Sequence, residues 1–152
     1  MDEEWIGFAK IRNWCALRER SGADVRRKLL ATKIDLQPED VLRRLCEEDF
    51  LNEERFAEDF ARGKLRIKRW GPAKIKLALR AVHGLDGHLI SRAIERLEPE
   101  DLREAIEATL RARQRVRPKD TQQQWTRHLC ERGFDYGQAC DAVARSTFAP
   151  LC

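Results

Sequence analysis

Val25 and Leu29, Ile75 and Leu79, and Trp125 and Leu129 hold the same i, i+4 places in three segments set 50 residues apart. A period of that length confines a chain to tandem copies of one small unit, because each copy can bury its apolar stripe only within itself and against its neighbours. The segments read ADVRRKLLATKI, AKIKLALRAVHG and QQQWTRHLCERG, each a short helix with a polar or basic outer face. The middle one is the most regular. Ile75, Ala78, Leu79 and Val82 form an i, i+3, i+4, i+7 stripe, with Lys74, Lys76 and Arg80 off it. A second stripe follows each segment, at Leu42, Leu45 and Cys46, at Ile90, Ala93, Ile94 and Leu97, and at Cys140, Val143 and Ala144.

Helix boundaries are well marked. Ser21 with Asp24 makes a capping-box-like start, and Pro38, Pro72 and Pro99 suit the first helical position. The acidic pairs Glu39/Asp40, Glu53/Glu54 and Glu100/Asp101 complement a helix dipole, and Asn52, Asp86, Thr121 and Asp135 are N-cap candidates. With an opening helix over about residues 4 to 20, this predicts roughly nine helices in three sets of three. No alternating apolar and polar run competes as a strand. The expected fold is therefore all-α: three tandem three-helix repeats in an elongated, curved array, over residues 4–50, 52–97 and 99–147. Each unit is near the lower size limit for an independent core, so neighbours are expected to share buried contacts.

Charged residues make up 37% of the chain and the hydrophobic share is 42%, which suits soluble helices buried on one face rather than disorder. No apolar run is long enough for a membrane helix, and the opening MDEEWIGF is acidic where a secretory signal would be basic, so a cytoplasmic monomer is expected. The five cysteines (Cys15, Cys46, Cys130, Cys140, Cys152) include no CxxC pair and are read as small buried or neutral residues in a reducing compartment. His83, His88 and His128 lack metal-ligand spacing, so no metal or cofactor is expected. No nucleophile, base and acid combination and no phosphate-binding glycine loop appears, which sets an enzyme aside.

The charge is segregated along the chain. From Asp35 to Asp59 ten acidic residues face three arginines, whereas Arg62, Lys64, Arg66, Lys68, Arg69, Lys74, Lys76 and Arg80 form a run without an acid. A second basic run supplies Arg111, Arg113, Arg115, Arg117 and Lys119. Such runs are either solvated helix faces or surfaces for a polyanion or an acidic protein. The acidic segment either meets basic loops of a partner or balances the basic cluster within the chain.

Residues 50 to 90, FLNEERFAEDFARGKLRIKRWGPAKIKLALRAVHGLDGHLI, combine an acidic ERFA helix, a basic linker, an aromatic-Gly-Pro turn and a helix with Ile and Leu four apart. This order resembles the central signature of the RecX family of bacterial recombination regulators. The stretch ALRERSGADVRRKLLATKIDLQPEDVLRRLCEEDFL is similar to that family's N-terminal unit, and the third unit matches in pattern only. Lys33 stands where the family usually has Gly, Trp70 where Tyr is common, and AVHGLDG is one residue longer than the usual turn.

The resemblance implies a protein that binds the RecA filament on single-stranded DNA and restrains its ATPase, strand-exchange and coprotease activities in recombination and SOS DNA repair. A direct DNA-binding helical module is the alternative, because short helix pairs with basic faces also mimic helix-turn-helix units. The eight basic residues from Arg62 to Arg80 are the expected contacts with RecA or DNA, with Arg55 and Glu58 added from the family-like motif. Arg55 and Glu58 can equally form an i, i+3 pair within their helix. Phe56, Phe60, Ile75 and Leu79 are expected in the core, Gly71 and Pro72 in setting the turn, and Trp70 in packing beside that turn, with stacking on a base as the alternative.

Overall fold

The computed structural model describes residues 2–148, which form nine helices and no strand. They are α1 (Glu3–Leu17), α2 (Gly22–Ala31), α3 (Pro38–Glu47), α4 (Glu53–Arg66), α5 (Pro72–Ala81), α6 (Gly87–Glu95), α7 (Pro99–Val116), α8 (Gln122–Glu131) and α9 (Tyr136–Phe148). The helices α2, α5 and α8 are ten residues each and keep the 50-residue period to the residue.

Local chemistry sets these ends. Ser21 and Thr121 close complete capping boxes with Asp24 and Gln124. Asn52, Asp86 and Asp135 accept from the backbone N–H of Arg55, His88 and Gln138, and Pro38, Pro72 and Pro99 stand in the first turn of their helices. Helix α1 stops at Leu17, earlier than expected. Arg18 is extended (φ −166°), and Arg20 turns back so that its guanidinium lies 3.9 Å from the Trp14 ring centroid. On α3 the buried stripe is Val41 and Leu45 rather than Leu42, Leu45 and Cys46, since Leu42 is only half-buried and Cys46 is exposed.

Two hydrophobic cores result. The first joins Phe8, Ile11 and Cys15 of α1 to Val25, Leu29, Val41, Leu45 and Leu51. The second runs through α4 to α9 without interruption, from Phe56 and Leu65 through Ile75, Leu79 and Ile90 to Leu110, Leu129 and Val143. Leu65, Ile75, Leu79 and Leu129 are fully buried, each worth roughly 1.5–3 kcal/mol relative to exposure. The accessible surface of 10051 Å² exceeds the roughly 8,000 Å² of a compact protein of 17.8 kDa, as an elongated array requires.

The two seams between successive triplets use the same positions of the repeat. Ser21 and Gly71 are N-caps of α2 and α5, and each meets the turn after the second helix of the next triplet. At the first seam the Ser21 hydroxyl lies 2.8 Å from Nδ1 of His83, and Arg27 donates to the Val82 carbonyl. At the second seam the contact is backbone on backbone. The Gly71 N–H donates to Arg132 O (2.8 Å) and the Ala73 N–H to Gly133 O (3.0 Å). A Cβ on Gly71 would lie 2.2 Å from the Gly133 carbonyl carbon, so the role of Gly71 extends beyond the turn to this close approach. The turns after α2, α5 and α8 carry left-handed residues at Lys33, Gly84 and Gly133. The middle turn is one residue longer, and this brings His83 against the Phe56 and Phe60 rings at 4.7 and 5.2 Å.

Candidate interaction surface

Helix α4 carries Glu53 and Glu54 in its first turn and Lys64 and Arg66 in its last, so the dipole favours the acidic-to-basic order seen in the sequence. Its buried face is Phe56, Ala57, Ala61 and Leu65. Phe60 is half-buried beside the larger core, while Ile75 and Leu79 are fully enclosed in it.

The acidic segment is balanced, but largely by arginines outside the basic run. Glu54 pairs with Arg92 (2.9 Å) and Arg96 (3.2 Å) of the α6 end, and Glu58 also meets Arg96. Glu39, Asp40 and Glu48 pair with Arg26, Arg43 and Arg44. Arg55 donates to Glu19 (2.9 Å) and Asp49 (2.7 Å). Of the two readings of Arg55 and Glu58, the pair within α4 therefore does not form. The two side chains leave the helix toward different neighbours, Arg55 toward the first triplet and Glu58 toward α6.

Within the basic run the structure separates three kinds of residue. Arg62 and Arg66 are ion-paired, to Asp59 at 3.8 Å and to Asp101 of α7 at 2.7 Å. Lys64 and Lys74 stand on the Trp70 ring, with their ammonium groups 4.8 and 4.6 Å from its centroid. Lys68, Arg69, Lys76 and Arg80 are exposed and enter none of the ion pairs among the described residues. Trp70 packs against the larger core, so it fixes where the two ammonium groups sit. Arg69 adopts a left-handed φ of 55°, and Arg132 of the next triplet donates to the Lys68 carbonyl at 2.6 Å. The third triplet thus holds the loop that presents these cations.

Beside this surface a cleft of about 400 Å³ opens at the first seam, with Phe56, Phe60 and His83 among its lining and Lys64 and Lys68 at its edge. Burial pushes His83 below its ordinary pKa of 6.5, and Arg27 and Lys64 act in the same direction while Asp24 opposes them. Asp24 is half-buried, which raises it, but bonds from the Ser21 backbone and Arg27 hold it below the usual carboxylate range. Among the cysteines, burial pushes Cys15 up to about 11, Cys46 is exposed, Cys130 and Cys140 are half-buried, and Cys152 lies outside the described residues. Among the described residues no three His, Cys, Asp or Glu side chains are grouped to hold a metal ion, and no helix is long and apolar enough to cross a membrane. The pairing of Glu54 and Glu58 with Arg92 and Arg96 was not anticipated, although the arginines lie at i and i+4 on one helix face.

Helices in tandem triplets, joined by repeated seams, define the class: an all-α repeat protein. Residues 52–94 match the family model described as RecX, second three-helix domain, and the resemblance to the RecX family, a family of regulatory proteins and not of enzymes, is borne out. The chain is 27% identical over 130 residues to the regulatory protein RecX of Oceanobacillus iheyensis, covering 82% of this chain and 47% of that protein. It is 28% identical over 138 residues to the regulatory protein RecX of Lactococcus lactis subsp. cremoris strain SK11, covering 86% and 51%. The chain thus spans about half the length of these curated relatives. In fold it is similar to the crystal structure of RecX from Lactobacillus salivarius, with a TM-score of 0.77 at 21% identity, covering 95% of this chain and 96% of that one. A second crystal structure of a regulatory protein RecX matches with a TM-score of 0.74 at 19% identity, covering 90% and 71%.

Proposed function

We propose that this chain binds the RecA filament on single-stranded DNA and restrains its ATPase, strand-exchange and coprotease activities in recombination and SOS DNA repair. One observation carries the reading beyond the family: Glu54 and Glu58 are paired with Arg92 and Arg96, and among the described residues only Arg62 and Arg66 of the basic run enter ion pairs, which leaves Lys68, Arg69, Lys76 and Arg80 exposed beside the Lys64–Trp70–Lys74 stack. A run of cations that its own protein does not neutralise favours an acidic protein surface or a phosphate backbone as its counterpart. Arg55 and Arg66 serve this role less well, because their charges join neighbouring triplets, and Glu58 because it is paired with Arg96 within its own triplet.

The test is ATP hydrolysis by the cognate RecA on single-stranded DNA with increasing amounts of this protein, compared with a Lys68→Glu/Lys76→Glu variant. These lysines have no ion-pair partner among the described residues, so the variant should keep its fold and lose the inhibition. Equal inhibition by both proteins refutes the assignment of this surface. No effect on RecA together with steeply salt-dependent binding to bare DNA would replace the proposal with the direct DNA-binding reading.

A further inference from the structure

The second basic run, around Arg113 and Arg117, takes no part in the surface just described, and the structure places it beside a cavity of about 270 Å³ between the end of α7 and the outer face of α8. We infer that this cavity is a binding pocket for phosphoryl groups, in which Arg113, Arg117 and Arg127 supply the charge and Gln124 a neutral donor. The inference does not depend on RecA being the partner.

Three guanidinium groups line the cavity against two carboxylates, Asp120 and Glu131. Asp120 is committed to Arg113, 3.3 Å away, whereas Arg117 and Arg127 enter none of the ion pairs among the described residues. The Arg113–Asp120 contact is itself incomplete, since Nε of Arg113 and Oδ2 of Asp120 are both buried without a hydrogen-bond partner. A buried guanidinium N–H that lacks an acceptor, next to two exposed guanidinium groups, is a donor set short of its oxyanion.

The frame around the pocket is already ordered. The indole N–H of Trp125 donates to the Arg117 carbonyl at 3.1 Å, which anchors the backbone where α7 ends. In the Thr121 capping box the Gln124 side-chain oxygen accepts from the Thr121 N–H at 2.7 Å, so the amide NH₂ of Gln124 remains as the donor. His128 lines the same cavity and is held below its ordinary pKa by burial and by Arg113 and Arg132, with Glu131 and Asp120 opposing. A forked donor set of this size matches the several oxygens of a phosphoryl group better than the two of a carboxylate.

The test uses the full chain labelled with ¹⁵N and titrated with inorganic pyrophosphate, following the Nε–H resonances of Arg113 and Arg117 and the Trp125 indole N–H. The expected result is saturable movement of these signals, a rise in the titration midpoint of His128, and binding weakened about tenfold or more by Arg117→Gln and by Arg127→Gln. Lys119→Gln, an exposed cation outside the cavity, should leave the affinity unchanged. A single-stranded oligonucleotide that displaces pyrophosphate and moves the same signals would identify strand phosphates as the source, and failure to displace it would identify a free polyphosphate. Linear, non-saturating shifts spread over all surface arginines, or wild-type affinity in both variants, would overturn the pocket.

Discussion

Replacing Gly71 with Ala tests how the second and third triplets are joined. The added Cβ would meet Gly133 C at 2.2 Å, Phe134 N at 2.3 Å and Gly133 O at 2.4 Å, all backbone atoms that cannot rotate away. Carbon atoms rest at about 3.5–4.0 Å, so the turn must retreat by roughly 1.3 Å. That retreat breaks the bonds from Gly71 N–H to Arg132 O and from Ala73 N–H to Gly133 O, each worth about 1 kcal/mol. Overpacking adds about 1–3 kcal/mol, for a total of about 3–5 kcal/mol. For a chain of this size the melting temperature should fall by roughly 10 °C or more. The assay is urea and thermal unfolding followed by far-UV circular dichroism, with Gly63→Ala as the matched control. A Cβ on Gly63 meets nothing within 4 Å and Gly63 lies inside α4, so that variant should gain about 0.5–1 kcal/mol. A Gly71→Ala protein within about 1 kcal/mol of wild type would refute the reasoning.

Lys33 holds a left-handed φ of 54° at an exposed turn where Gly133 stands in the third triplet, so Lys33→Gly should stabilise the chain by about 0.5–1 kcal/mol. A lower urea midpoint for that variant would contradict the strain assigned to Lys33. His83 and His128 are both held below 6.5 in the folded chain, so the unfolded chain binds more protons just below that pH. Their contribution is therefore complete above about pH 6.5 and is lost as the pH falls through the folded values. Stability measured at pH 7.5 and pH 5 should drop across that interval, and His83→Gln should flatten the drop; an unchanged pH profile in the variant would remove His83 from the seam's energetics.

Much of the fold was legible in the sequence because helix signals are local. The period that puts Leu29, Leu79 and Leu129 at one place, the Ser21 and Thr121 boxes and the three helix-starting prolines each act over three or four residues, and the helices begin where those residues say. The exceptions are informative. Helix α1 ends early because Arg20 finds the Trp14 ring, and Val41 replaces Cys46 in the α3 stripe because the first core lies on that side.

The candidate surface was less legible, because which charges are free depends on partners distant in the chain. The run from Arg62 to Arg80 is a uniform cluster in one dimension. Only the folded chain pairs Arg66 with Asp101 and Glu58 with Arg96, and sets Lys64 and Lys74 on Trp70. The same holds for the seams, where the extra residue of the middle turn becomes His83 against Ser21 and two glycines more than sixty positions apart, Gly71 and Gly133, become a backbone contact. By itself the sequence determined helix, cap and period, which are matters of near-neighbour sterics and hydrogen bonding. Tertiary structure decided which cations remain unpaired and how the triplets join, since Coulomb attraction and close packing depend on distance in space and not on separation along the chain.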